Sequence, residues 1–177
     1  IANSPQLFSH NSSNIKNMNL SPLFYTLEEW AFQIQTFFQT FILVFFVLFF
    51  VENSLLLNLI TTSWIPILNM VIFIYWFPLL ICLLSVRFSD IAQLVPIVLQ
   101  LVFLTSPILY RKENLGGLAW ITNINFIYKV LDPIRMSIIS GTVNYLESLS
   151  ILILNLLGLT IAVWLLNKES KKLPFLL

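Results

Sequence analysis

The chain has 177 residues, of which 58% are hydrophobic and only 10% charged, and its mean hydropathy is +0.89. A soluble domain carries roughly a quarter charged residues because its surface faces water, and one core of this length cannot take in so much apolar surface. The excess must face lipid, while a net charge of +1 without a basic run offers no field that would draw nucleic acid.

In chain order, the first 29 residues are polar and mixed. They lack the early basic end and apolar core of a signal peptide, and the opening Ile1 suggests that the natural start of the protein is missing. Charges then delimit the apolar runs. Glu29 and Glu52 bracket Trp30 to Val51, Asp90 and Arg111 bracket Ile91 to Tyr110, and Glu147 and Lys168 bracket Ser148 to Asn167. At about 1.5 Å rise per residue, roughly twenty residues match a hydrocarbon core of about 30 Å. Backbone polar groups in hydrocarbon must pair within their own segment, so each run is expected to be a helix.

A longer uncharged run joins Asn53 to Val86. Asn58, Thr61, Thr62 and Ser63 are polar, and Pro66 suits a helical first turn. The expectation is an outer loop or interfacial turn to Trp64, followed by a span over about 65–86 that Pro78 should kink. The fold class is therefore all-α: a polytopic transmembrane bundle of four spans (about 30–51, 65–86, 91–110 and 148–167). Residues 1–29 form a cytoplasmic segment and 168–177 a cytoplasmic tail. Residues 111–147 are apolar but too broken by Gly116, Gly117 and Gly141 to span, and read as a short re-entrant or interfacial helical region.

Four spans put both ends on one side, and Lys168, Lys171 and Lys172 beside the last span make that side the cytoplasm. The seven phenylalanines Phe37, Phe38, Phe41, Phe45, Phe46, Phe49 and Phe50 read first as lipid and helix packing. Trp30, Trp64, Trp120 and Trp164 fit interfacial belts.

The chemistry of catalysis is missing. The single histidine, His10, has no companion at ligand spacing, and four glycines without a G-x-x-x-x-G-K build no phosphate loop. The four spans contain no Asp, Glu, Lys or Arg, which argues against an intramembrane proton relay. Any nucleotide energy would have to be bound by another chain, so the protein is not expected to be an enzyme.

From Arg87 onward the order of residues resembles a known family. Arg87-Phe88-Ser89-Asp90-Ile91 opens one span, which ends Thr105-Ser106-Pro107-Ile108-Leu109-Tyr110. Asn125, Arg135, Gly141, a last span and the tail Lys171-Lys172-Leu173-Pro174 follow. This resembles the permease subunits of type-2 ABC exporters that move O-antigen, capsule and teichoic-acid chains, with their "RFRD" turn, "TPI–Y" span end, "NP" and downstream Arg. Ser13 to Asn17 with Pro22 is similar to the family's cytoplasmic "G-L-I-K…P" segment. Ser89 replaces a usual basic residue, and Phe126 stands where the family has proline. Family members carry an amphipathic helix and two more spans ahead of this stretch.

The resemblance implies a permease subunit in the bacterial inner membrane that pairs with a second copy and with two P-loop ATPase subunits. Those partners would hold ATP and Mg, and this chain would bind no cofactor and no metal. The cargo would be a lipid-linked polysaccharide or polyol-phosphate chain; a drug or lipid exporter permease and a non-transporting membrane scaffold are the alternatives.

Asn14, Ile15, Lys16 and Asn17 would form a coupling helix, joined by Arg87 and Asp90, against their reading as a polar loop and a membrane-edge pair. Thr105, Pro107, Tyr110, Asn125 and Arg135 would belong to an external gate or pathway. On spacing alone, the first three read equally as a helix terminus, and Asp132 with Arg135 as a local ion pair.

Overall fold

The computed structural model describes residues 1–17, 21–51, 54–106, 120, 122 and 125–176. It is helical throughout, with no strand among the described residues. After a 3-10 turn over Ser4–Gln6 come α1 (Leu7–His10), α2 (Ser12–Asn17), α3 (Pro22–Val51) and α4 (Ser54–Thr62). Then follow α5 (Trp64–Arg87), α6 (Asp90–Thr105), α7 (Phe126–Ser140), α8 (Tyr145–Glu169) and α9 (Leu173–Leu176). Three helices are long and apolar enough to cross a membrane: Pro22–Val47 within α3, Trp64–Arg87 and Tyr145–Glu169. The protein is a membrane-embedded helical bundle.

The seam of the bundle is the α5–α8 pair. Asn69 meets Ser148, Asn69 and Trp76 meet Asn155, and Arg87 meets Glu169. Partner numbers rise together along both helices, so α5 and α8 run parallel. Gly158 lets them close: a Cβ there would stand 2.7 Å from the Trp76 ring. Small residues at such crossings let two backbones approach where lipid offers no hydrophobic drive.

Parallel α5 and α8 require the chain to return along the bundle between Arg87 and Tyr145. It does so in two pieces. The first is α6, whose 16 residues rise only about 24 Å. The expected span over 91–110 therefore ends early, at Thr105. Ser106 is extended (φ −83°, ψ 129°), as the residue before a proline is pushed to be.

The second piece is α7, antiparallel to the first half of α5. Phe126 meets Phe73 and Trp76 edge-on, at 5.3 and 6.0 Å between ring centroids. Further along, Ile134 packs with Met70, and Ser137 shares a 2.9 Å hydrogen bond with Ser63. This helix begins partway down the bundle and rises to the Trp64 end, the geometry of a re-entrant helix. Val130, 1% exposed, and Ile134, 9%, bury it in the core rather than on an outer surface.

Two further boundaries differ from expectation. The helix expected from Trp30 starts eight residues earlier, with Pro22 at its first position, where a missing N–H is harmless. Its 30 residues reach about 45 Å, so charged Glu28 and Glu29 sit inside a helix and not at its boundary. The loop expected before Trp64 is helical as α4, and its threonine hydroxyls find acceptors within that helix: Thr61 donates to Leu57 O at 2.8 Å and Thr62 to Asn58 O at 2.7 Å. Pro78 lies inside α5, as expected from its position.

At the Arg87 end, the polar N-terminal segment folds onto the bundle. Phe8, Ile15, Leu79, Cys82, Ala162, Leu166 and Leu173 form one buried cluster that joins α1, α2, α5, α8 and α9. Ser85 adds a hydrogen bond to Pro5 O at 2.8 Å.

Candidate functional site

The residues expected to couple to an ATPase gather at one end. Leu7, Phe8 and Ile15 are the apolar residues of the otherwise polar α1 and α2, and Phe8 and Ile15 turn inward, 0% and 5% exposed. Ile15 therefore acts as the anchor of α2, while Asn14, Lys16 and Asn17 around it are exposed. Arg87 closes α5 and Asp90 opens α6, and the whole turn over 87–90 is exposed. Since Ile15 shares its cluster with Leu79, Cys82 and Leu173, the two exposed groups lie at the same end of the bundle.

Arg87 does not pair with Asp90 as its spacing suggested. Its Nη2 stands 3.6 Å from Glu169 Oε1, and Lys172 Nζ stands 4.0 Å from Glu169 Oε2. Glu169 is the more buried member, with 18% of its side chain exposed against 59% for Arg87. A pair this exposed contributes at most about 1 kcal/mol, so its effect is on geometry: it ties the α5–α6 turn to the end of α8. Lys168 lies over the Trp164 ring, 4.9 Å from its centroid, fixing the start of the basic tail.

The residues expected at an outer gate are split. Asn125 caps α7 by accepting from Tyr128 N at 3.1 Å, and its amide donates to Ser106 Oγ at 2.6 Å and Val102 O at 3.3 Å. The end of α6 and the start of α7 are thereby one joint. Thr105 sits in that joint with its hydroxyl bonded back to Leu101 O and Val102 O, at 2.9 and 3.1 Å. Arg135 is elsewhere: ten residues along α7, or about 15 Å, it is exposed and lines an apolar groove with Phe37, Phe41 and Met70. Pro107 and Tyr110, with Gly116 and Gly117, lie outside the described residues.

Other polar residues matter more to the architecture than the sequence suggested. Asn69 and Asn155 are 1% and 0% exposed and face each other across the seam. The Asn155 amide donates to Asn69 O and Oδ1 at 3.1 and 3.3 Å, its Oδ1 accepts from Trp76 Nε1 at 2.9 Å, and Asn69 donates to Ser148 O at 2.9 Å. An asparagine inside an apolar run is itself a signal, because lipid leaves it no partner except another helix.

The chain matches no protein-family model, no curated protein and no solved structure. Function therefore has to be argued from the geometry. No group of three or more His, Cys, Asp or Glu close enough for a metal occurs among the described residues. The site instead offers an exposed, charged, well-anchored end and, running from the Asn125 joint with α6 midway along the bundle to the opposite end, the re-entrant helix α7.

Proposed function

We propose that this chain is the membrane-spanning permease subunit of an ATP-driven exporter in the bacterial inner membrane, moving a lipid-linked polysaccharide or polyol-phosphate chain. The chain itself supplies no catalytic group; a P-loop ATPase partner binds ATP and Mg, and two copies of the permease enclose the path. The drug or lipid exporter and the scaffold remain the competing readings.

The observation that carries the reading is the convergence of two sequence-distant segments at one end. Exposed Asn14, Lys16 and Asn17 stand on a short helix anchored by Ile15, at the same end as exposed Arg87 and Asp90. A short helix fixed to the bundle by one buried residue, with its polar face turned outward, suits a rigid lever for a partner. The Arg87–Glu169–Lys172 contacts continue that lever into α8.

The parallel run of α5 and α8 also fits a chain whose second and fourth passages share a direction. Both ends of the described segment lie at the Arg87 end of the bundle, and the lysines of the tail support reading that end as cytoplasmic. The re-entrant α7 and the Asn125 joint then belong to the outer half, where Thr105, Asn125 and Arg135 would flank the exit.

The test is a mild-detergent pull-down of the full-length permease from its host, with bound proteins identified by mass spectrometry. A stoichiometric P-loop ATPase supports the reading. A well-folded protein that brings down no ATPase overturns it in favour of a scaffold.

A further inference from the structure

The Trp64 end of the bundle holds a second feature that the export reading does not use. Between α7 and α8 lies an open cavity of about 450 Å³, within the size range of small-ligand sites. From α7 it is lined by Tyr128, Lys129 and Asp132, and from the start of α8 by Asn144, Glu147 and Ser148. Asn144 and Glu147 have a local structural role, since Asn144 Oδ1 accepts from Glu147 N at 3.4 Å and caps α8. That role accounts for neither Lys129 and Asp132 on the facing helix nor Ser148. Ser148 is 1% exposed, and its hydroxyl has no hydrogen-bond partner. A buried hydroxyl left unpaired is an uncommon and costly arrangement, and Ser148 is one of the residues around this cavity.

The lining carries both signs of charge. Lys129 and Asp132 stand one helical turn apart, roughly 5–6 Å between Cβ atoms, and Glu147 adds a second carboxylate from across the cavity. A purely anionic ligand would meet two carboxylates and one ammonium. A quaternary ammonium would want an aromatic cage, and Tyr128 is the one aromatic side chain in the described lining. A primary ammonium beside a phosphate satisfies the charged groups: its N–H donors face Asp132 and Glu147, while the phosphate accepts from Lys129, and a rotation of the Ser148 side chain toward the cavity would give its unpaired hydroxyl the same acceptor. The cavity lies beside the first turn of α8, one of the three helices long and apolar enough to cross a membrane, where a headgroup would meet the end of a span. Leu154, two turns beyond Glu147 on the same stripe of α8, is 53% exposed and apolar, a surface for an acyl chain.

We propose that this cavity binds the headgroup of a zwitterionic phospholipid bearing a primary amine, with the acyl chains lying along α8. The inference is independent of the export reading: a scaffold or a transporter would hold such a lipid equally.

The test uses the purified full-length protein in nanodiscs of dioleoyl-phosphatidylcholine, with and without dioleoyl-phosphatidylethanolamine or dioleoyl-phosphatidylglycerol, read by native mass spectrometry after release. The wild type should retain the ethanolamine lipid in preference to the other two. The Asp132→Asn/Glu147→Gln double variant should weaken that retention by about tenfold or more, the loss expected when charged hydrogen bonds are removed. Lys129→Gln should weaken it by a similar factor, and Glu28→Gln, far from the cavity on α3, should not. Circular dichroism melts establish that each variant is folded, and the two sets of substitutions act on different headgroup atoms, so one misfolded variant leaves the other informative. Equal retention of phosphatidylcholine, or unchanged retention in folded Asp132→Asn/Glu147→Gln, overturns the proposal. So does displacement of the lipid by soluble O-phosphoethanolamine at equal concentration, which would make the ligand a free metabolite rather than a lipid.

Discussion

A methyl group added at Gly158 would stand 2.7 Å from two carbons of the Trp76 indole. A rigid ring fixed by its bond to Asn155 cannot move aside without losing that bond. Gly158→Ala should therefore destabilise the protein by about 1–3 kcal/mol, the usual effect of overpacking, seen as a lower melting temperature in detergent. Ile161→Ala, at a side chain 52% exposed, should shift the melt less. Equal melts for the two variants would sink the close-packed seam. Asn155→Leu strands the Trp76 N–H and should cost about 1–3 kcal/mol, toward the low end because interhelical bonds in membranes average about 0.6 kcal/mol. At this scale the charge-based reading of the sequence passed over Asn69 and Asn155, although each is a polar residue inside an apolar run. It could not show that they face each other, because 86 positions separate them and no local period links such distant residues.

At the scale of elements, charge spacing located the long helices well because lipid permits few alternatives to a helix. It failed where polar residues carry two meanings. Asn58, Thr62 and Ser63 read as a turn, yet they sit in or beside a helix and supply its partner. Asn58 Nδ2 donates to Ile138 O at 3.0 Å and Thr62 Oγ1 to Ser137 O at 3.1 Å, serving carbonyls of the last turn of α7. Helix ends leave such carbonyls short of partners; Ser137 O also accepts from Gly141 N at 3.1 Å, and Gly141, at φ +65°, closes the turn in the left-handed region. Asn58→Ala/Thr62→Val should loosen the α7 end without loosening the α5–α8 seam. Losing two bonds of about 1 kcal/mol each should speed amide exchange over residues 137–141 by roughly tenfold or more, with residues 150–160 unchanged. Uniform acceleration across both would show that α4 holds the whole bundle and not the re-entrant helix alone.

For the whole molecule, the composition settled membrane embedding, while orientation and partnership rest on the arrangement of charges at the Arg87 end. Orientation is open to direct labelling, because the native Cys82 is 0% exposed and free and can stay in place. A cysteine at Lys171 should react with an impermeant maleimide from the cytoplasmic side alone, and one at Thr142 from the outer side alone; labelling of both from one side would remove the parallel-passage argument. Coupling needs more care, since Arg87 has two jobs. Arg87→Glu reverses an exposed charge and also sets two carboxylates against each other at Glu169, now 3.6 Å from the guanidinium. Glu169→Gln removes the internal tie while leaving the outward charges intact, and Lys16→Glu reverses an outward charge that has no part in that tie. If the exposed end meets an ATPase, Lys16→Glu and Arg87→Glu should both uncouple ATP hydrolysis from export in the reconstituted assembly at unchanged membrane abundance. Glu169→Gln should have the smaller effect. If Glu169→Gln uncouples as strongly as Arg87→Glu while Lys16→Glu does nothing, the end acts as an internal brace, and Lys16 leaves the proposed contact.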